Sequence, residues 1–321
     1  MSERRGLWLL LGWLLTAGIA AGLYLRWSIP SSSLMIALVS LAPLLVVPLV
    51  LVVVSAWRAW SRPLGLAAVA LIIAYVATFV SVDAVVGCGP ETAEDAIVVF
   101  THNVWLHGGE PAAVAGSIAA SDADVVVLQE VWPAFMAELD GDPSLSGYRY
   151  RTAEPAEDTT GLAVWSRFPV ADATIDRLGG VPMLRSRIDS PYGSFGLDAI
   201  HLTAPVAGEN VASWQAQLDG LAGYDATGPG IMAGDFNATM DHSQFRHLLD
   251  QGWTDVHEPK GCGYDATWPT GRRTPTLLRL DHVLVTDHFE VLAVEIGSSD
   301  GSDHRSVTAT LRLRNSAAAP N

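Results

Sequence analysis

Three long apolar runs in the first 86 residues constrain this chain more than anything else in it: residues 7–25, 34–57 and 64–86, broken only by small, proline or weakly polar side chains. Each is close to the roughly 20 residues that a helix needs to cross a bilayer. Arg4 and Arg5 ahead of the first run would also suit a cleaved signal peptide. The two runs that follow favour a retained anchor. Pro43 and Pro48 fall inside the second run, where a membrane bundle tolerates them better than a soluble helix does. Basic residues set the orientation. Arg4, Arg5, Arg58 and Arg62 flank the ends expected inside, whereas the stretch after the third run is acidic (Glu91, Glu94, Asp95). The expectation is a cytoplasmic N-terminus, three crossings, and an extracytoplasmic domain on the cell membrane. The domains expected are a membrane anchor over 1–87, a linker over 88–96, a catalytic domain over 97–314 and a disordered tail over 315–321.

Residues 88–321 are enough for one sizeable domain. They hold all but five of the 19 Lys and Arg and all but two of the 34 Asp and Glu, a formal charge of about −18, with a single lysine, Lys260. A duplex-gripping protein shows a basic face, and this composition argues against one. An acidic surface still holds an anion when metal ions supply the local positive charge. Cys88 and Cys262 each lie in a Gly-Cys-Gly in the part placed outside, where disulfides persist. They form either one bond or two unrelated thiols.

The outer domain alternates apolar strands with helical spacing. Residues 97–100, 125–128, 162–165, 196–200, 230–233, 280–285 and 291–296 read as strands, and 111–121 as an Ala-rich helix. Val211, Trp214, Leu218 and Leu221 mark one face of another helix. Strand–helix–strand order implies a layered α/β domain with buried sheets. Polar residues recur where the strands end: Asn103, Glu130, His201, Asp235, Asn237, Asp281, Asp303 and His304. Taken singly, each is an ordinary strand-end charge, polar cap or solvated turn. Taken together, carboxylates, carboxamides and histidines on one rim suit a hard cation and a phosphoryl group. Oxygen ligands without a Cys-rich or His-rich cluster favour Mg²⁺ or Mn²⁺. Arg185 and Arg187, alternating on one strand, are either a phosphate clamp or a surface ladder. His102, His107, His242, His247, His257, His282 and His288 read as structural or surface groups, His102 and His282 being the best placed to support the rim. Asp255 reads as structural.

Seven short motifs occur in order: Thr101-His102-Asn103-Val104, Leu128-Gln129-Glu130-Val131, His201-Leu202-Thr203, Gly234-Asp235-Phe236-Asn237, Thr267-Trp268-Pro269, Leu280-Asp281-His282-Val283 and Ser302-Asp303-His304-Arg305-Ser306-Val307. Their series resembles the endonuclease/exonuclease/phosphatase superfamily, with the deoxyribonuclease I-like fold, over about residues 97–312. The resemblance implies a four-layer α/β sandwich behind three transmembrane helices, and metal-dependent phosphoester hydrolysis. It also implies roles. Glu130 would be the main metal ligand, with Asn103 and Asp303 contributing. Asp235 and Asn237 would orient the attacking water, His304 with Asp281 would act on the nucleophile, and His201 would serve as acid or phosphate ligand. Three spans ahead of such a domain also resemble the teicoplanin-resistance membrane proteins of actinomycetes. Acidity, tether and outward orientation favour a phosphate or pyrophosphate ester of an envelope lipid, or another phosphorylated small molecule, with nucleic acid only as a substrate. The competing readings are a tethered extracellular nuclease and a non-catalytic envelope scaffold.

Overall fold

The computed structural model describes residues 2–79, 91, 93–260, 265–271 and 273–314. Cys88 and Cys262, and the tail over 315–321, lie outside the described residues. The chain divides into two compact units. One takes Met1–Val82 with Met240–Ser243, and the other Asp83–Thr239 with Gln244–Asn321.

The first unit is helical: α1 (Ser2–Leu25), α2 (Ser33–Ser40), a 3₁₀ turn (Ala42–Leu45), α3 (Val46–Ala59) and α4 (Arg62–Phe79). Three stretches are long and apolar enough to cross a membrane: Glu3–Leu25, Ala42–Ala59 and Arg62–Phe79. The second run differs from the single helix expected over 34–57. The Ser32 side chain accepts the Met35 N–H to start α2, and the helix stops before Pro43, which sits in the first turn of the 3₁₀ segment. Proline lacks the amide that a continuing helix needs, whereas Pro48 falls in the first turn of α3, where that amide has no partner to lose. The third run is helical to Phe79, and 80–86 lie outside the described residues. Ile19, Leu49, Val52, Leu64 and Leu71 pack together, while Leu7, Leu14, Leu66 and Ile73 stay exposed. An apolar outer face of this kind suits lipid as its solvent. Within the same unit Arg26 pairs with Asp241 at 2.7 Å, both nearly buried.

The second unit is the four-layer sandwich expected. Its first sheet runs β11-β12-β1-β2-β4-β3, from β1 (Ala96–Asn103), β2 (Val125–Gln129), β3 (Tyr150–Glu154), β4 (Leu162–Ser166), β11 (Phe289–Ile296) and β12 (Val307–Leu313). The second runs β5-β6-β7-β8-β10-β9, from β5 (Val170–Leu178), β6 (Val181–Ser190), β7 (Gly193–His201), β8 (Gly230–Asp235), β9 (Trp253–Asp255) and β10 (Asp281–Thr286). Alternate residues of both sheets make the shared core. Val99, Val125, Val127 and Leu311 come from one sheet, and Leu184, Leu197, Ala199, Ile231 and Val283 from the other. A fully buried side chain of this size contributes about 1.5–3 kcal/mol.

Each sheet has one parallel pair at its middle, β1/β2 and β7/β8; the remaining neighbours are antiparallel. Parallel neighbours need a crossover. The first is helix α5 (Pro111–Ser121), with its proline in the opening turn, and the second is α7 (Gly208–Leu221). Helix α5 and the short α6 (Pro133–Asp140) bury Val114, Ile118, Phe135 and Leu139 against Phe100, Val126 and Trp165 on the outer face of the first sheet. On the second sheet, α7 buries Val211, Trp214, Leu218 and Leu221, the four positions its sequence spacing marks. Helix α8 (Ser243–Leu249) adds Phe245, whose ring meets Phe236 and His282.

Candidate active site

Strand register brings the polar residues together. In the parallel pair β1/β2, Asn103 stands opposite Gln129, and Glu130 is the next residue. In the second sheet His201 pairs with Asp235, and Asp235 with Asp281. One row across three adjacent strands therefore carries a histidine and two aspartates. Both parallel pairs end at the same rim, the carboxyl edge where α/β sheets place their ligands.

Asn103 links the sheets: its Nδ2 donates to Glu130 Oε1 and to Asp235 Oδ2, both at 3.0 Å. Its Oδ1 accepts the Trp105 N–H at 2.9 Å, and Glu130 Oε2 accepts the Leu106 N–H at 2.9 Å. His201 Nε2 lies 3.7 Å from Glu130 Oε1 and 3.8 Å from Asp235 Oδ2. His304 Nδ1 donates to Asp281 Oδ2 at 2.8 Å, which leaves Nε2 facing Asp235 and Asp303 at 3.8 and 3.9 Å. The Asn237 amide donates to Asp235 Oδ1, and its carboxamide to the Leu202 carbonyl. Asp235 and Asp281 are fully buried, and Asp303 and His304 nearly so. The backbone is strained here. Trp105, His107, Glu130, Asn237 and Asp300 all lie at positive φ, which costs an ordinary residue about 1–3 kcal/mol.

Burial opposes charging of His304, but the carboxylates of Asp281 and Asp235 outweigh it and push the imidazole up to about 10. Burial raises Asp235 above the usual carboxylate range, against the pull of His304. Burial would raise Asp281 too, yet the charge and hydrogen bond of His304 hold it below its ordinary value. The result is a charged His304–Asp281 pair beside a carboxylate with raised proton affinity. Such an arrangement can hold a proton near a reacting oxygen.

The divalent cation expected from the sequence fits the donor set. Among the described residues, Asp235, Asp281 and His304 bring one candidate atom from each within 4.8 Å of the others, while His304 Nδ1 and Asp281 Oδ2 are joined by their hydrogen bond. Glu130 and Asp303 offer hard oxygen donors beside that group; the Asn103 carboxamide oxygen already accepts the Trp105 N–H. Asp281 Oδ1 is buried without a hydrogen-bond partner. No Lys or Arg among the described residues ion-pairs with Glu130, Asp235 or Asp281. Clustered carboxylates left without a cation are costly, and oxygen donors suit Mg²⁺ or Mn²⁺.

Arg185 and Arg187 take no part in this rim. On β6 they pair with Asp198, Asp176, Asp172 and Asp189, and they line a surface cleft with Tyr224 and Trp253. In the antiparallel register Arg187 stands opposite Gly196, five residues before His201. Three supports escaped the sequence reading. Trp268 Nε1 donates to Asp303 Oδ2 at 3.1 Å, so the indole holds a carboxylate of the rim in place. Ser302 Oγ donates to the Asn103 carbonyl and accepts the His304 N–H. Asp255, read as structural, holds His282. The Ser-Asp-His order was visible, but nothing in it told which backbone the serine would reach. His102, buried, faces the His304 carbonyl at 3.4 Å, and desolvation lowers its proton affinity.

Residues 100–304 match the endonuclease/exonuclease/phosphatase family. Solved structures with this fold include an endonuclease/exonuclease/phosphatase from Beutenbergia cavernae DSM 12333. It is 24% identical over 68% of this chain and 72% of that one, with a TM-score of 0.55. TDP2 of D. rerio, solved with a single-strand DNA product, is 15% identical over 68% of this chain and all of that one, at 0.56. A mannosyl-6-phosphatase of Bacteroides thetaiotaomicron VPI-5482 is 17% identical over 68% and 100%, at 0.51. At these identities the likeness is one of fold. No curated protein matches the chain.

Proposed function

Since the chain belongs to the endonuclease/exonuclease/phosphatase family, a group of phosphoester hydrolases, we propose that it is a membrane-anchored, extracytoplasmic, Mg²⁺- or Mn²⁺-dependent phosphoesterase acting on a phosphate or pyrophosphate ester of an envelope lipid. The observation that carries the hydrolytic part is the linked rim: His201, Asp235 and Asp281 in one row, His304 bonded to Asp281, and Asn103 joining that row to Glu130. Glu130, Asn103 and Asp303 would hold the cation, which when bound offsets phosphoryl charge that repels a nucleophile. Asp235 and Asn237 orient the attacking water. The His304–Asp281 pair stabilises charge on the phosphoryl oxygens, and His201 gives a proton to the leaving oxygen. Water adds at phosphorus and passes its proton to Asp235, whose burial raises its proton affinity, while the P–O bond to the leaving group breaks and His201 protonates the departing oxygen.

The lipid part rests on three apolar helices, on the basic residues that flank them, and on the formal charge of about −18 beyond residue 87. A polyanionic nucleic acid meets repulsion from such a domain, whereas an ester already in the bilayer is delivered by the anchor. The test is phosphate release by the detergent-solubilised full chain with Mg²⁺, from polyprenyl pyrophosphate and, as nicking, from plasmid DNA, with Glu130→Ala as control. Turnover of the lipid alone, lost in the variant by at least about 100-fold, is the expected result. Cleavage of DNA alone would replace this reading with a tethered nuclease.

A further inference from the structure

Asn237 lies in the turn that leaves β8, at φ 48°. The left-handed region costs a non-glycine residue roughly 1–2 kcal/mol, least for Asn and Asp, so the conformation persists only where its surroundings impose it. The carbonyls of the two residues that flank Asn237 are both gripped. Trp214 Nε1 donates to the Phe236 carbonyl at 3.2 Å, and His282 Nε2 lies 3.0 Å from the Ala238 carbonyl. His282 is fixed in turn: its Nδ1 lies 2.7 Å from Asp255 Oδ2, and both residues are fully buried. The carboxylate and the carbonyl hold the ring between them, one at each nitrogen. The ring has no freedom to turn, because Phe245 packs at 4.5 Å and Phe236 meets it edge-on at 5.7 Å between centroids. The second carboxylate oxygen of Asp255 accepts from the His257 amide and faces His257 Nδ1, both at 3.0 Å. A buried carboxylate, a locked imidazole and a backbone carbonyl thus form one line that ends beside Asn237.

We infer that Asp255 and His282 are a positioning pair for Asn237, pinning the Ala238 carbonyl and with it the left-handed turn that presents the Asn237 carboxamide beside Asp235. Neither residue touches the reacting atoms, and the pair acts alike on a lipid or a nucleic-acid ester. Buried hydrogen-bonded pairs often serve stability alone. A positioning role differs because its effect on turnover vanishes once the positioned group is gone.

The full chain in detergent, assayed on bis(p-nitrophenyl) phosphate with Mn²⁺, separates the two roles. His282→Phe fills the ring's space without its nitrogens. It is expected to lower kcat by roughly 10- to 100-fold, as loss of an orienting partner does, with KM nearly unchanged. In an Asn237→Ala background the same substitution is expected to cost less than about two-fold. An equal loss in both backgrounds, or a change confined to KM, would overturn the proposal. Hydrogen exchange needs neither turnover nor that variant. Asp255→Asn is expected to speed exchange within residues 235–239 and to leave β1 and β2 as they are; unchanged or uniformly faster exchange would also overturn it.

Discussion

Gly234 has a φ of 145°, and a Cβ there would come within 1.9 Å of the carbonyl oxygen of Ile200, its partner across the parallel pair. Only glycine fits the last step before Asp235. Gly234→Ala is expected to destabilise the domain by at least about 2 kcal/mol and to abolish hydrolysis, as read from a thermal melt and a turnover assay on one preparation. At this scale much of the site was legible. Asp235 and Asn237 two residues apart at a strand end, and Asp-His preceded by Ser, name their chemistry in short windows. His282 was legible as a support, but the partners that the supporting groups reach were not, because they act over long separations. Trp268 reaches Asp303 across 35 positions, and Asp255 reaches His282 across 27. Arg185 and Arg187 show the converse. Alternation placed them on one face, but only the fold revealed the aspartates that neutralise them.

Strands buried on both faces announce themselves as apolar runs, and β1, β2, β4, β7, β10 and β11 were readable for that reason. β5 was missed because most of its residues are exposed and carry no alternation. Its connection to β6 was nonetheless written in Gly179-Gly180, both at positive φ as a tight hairpin requires. Helix α6 was missed as well, being too short to show a period. The last strand matters most to the first sheet. β12 pairs with β1 on one side and β11 on the other, and it buries Val307, Ala309, Leu311 and Leu313. A chain ending at residue 306 still contains every residue of the rim, yet it exposes the hydrogen-bonding edge of β1 and opens the core. Loss of four such side chains at about 1.5–3 kcal/mol each is comparable to the whole 5–15 kcal/mol stability of a typical domain. The shortened chain is expected to aggregate or to be digested by protease, where the full chain gives a stable core.

The whole molecule joins an apolar helical unit to an acidic hydrolase domain, and the proposed orientation can be read without any substrate. Val206 is 80% exposed. Val206→Cys is expected to react with a membrane-impermeant maleimide on intact cells; labelling that requires lysis would place the domain inside. The arrangement of the sheets carries one more consequence. Asn103 comes from the first sheet, Asp235 from the second, and His304 arrives only after both sheets have nearly all their strands. No segment shorter than about two hundred residues contains the reactive group, and neither sheet alone assembles it. A polypeptide still emerging from the ribosome, or still threading through a translocation pore, is therefore chemically silent. The phosphoesters it passes on the way are safe from it until its last strands have been delivered.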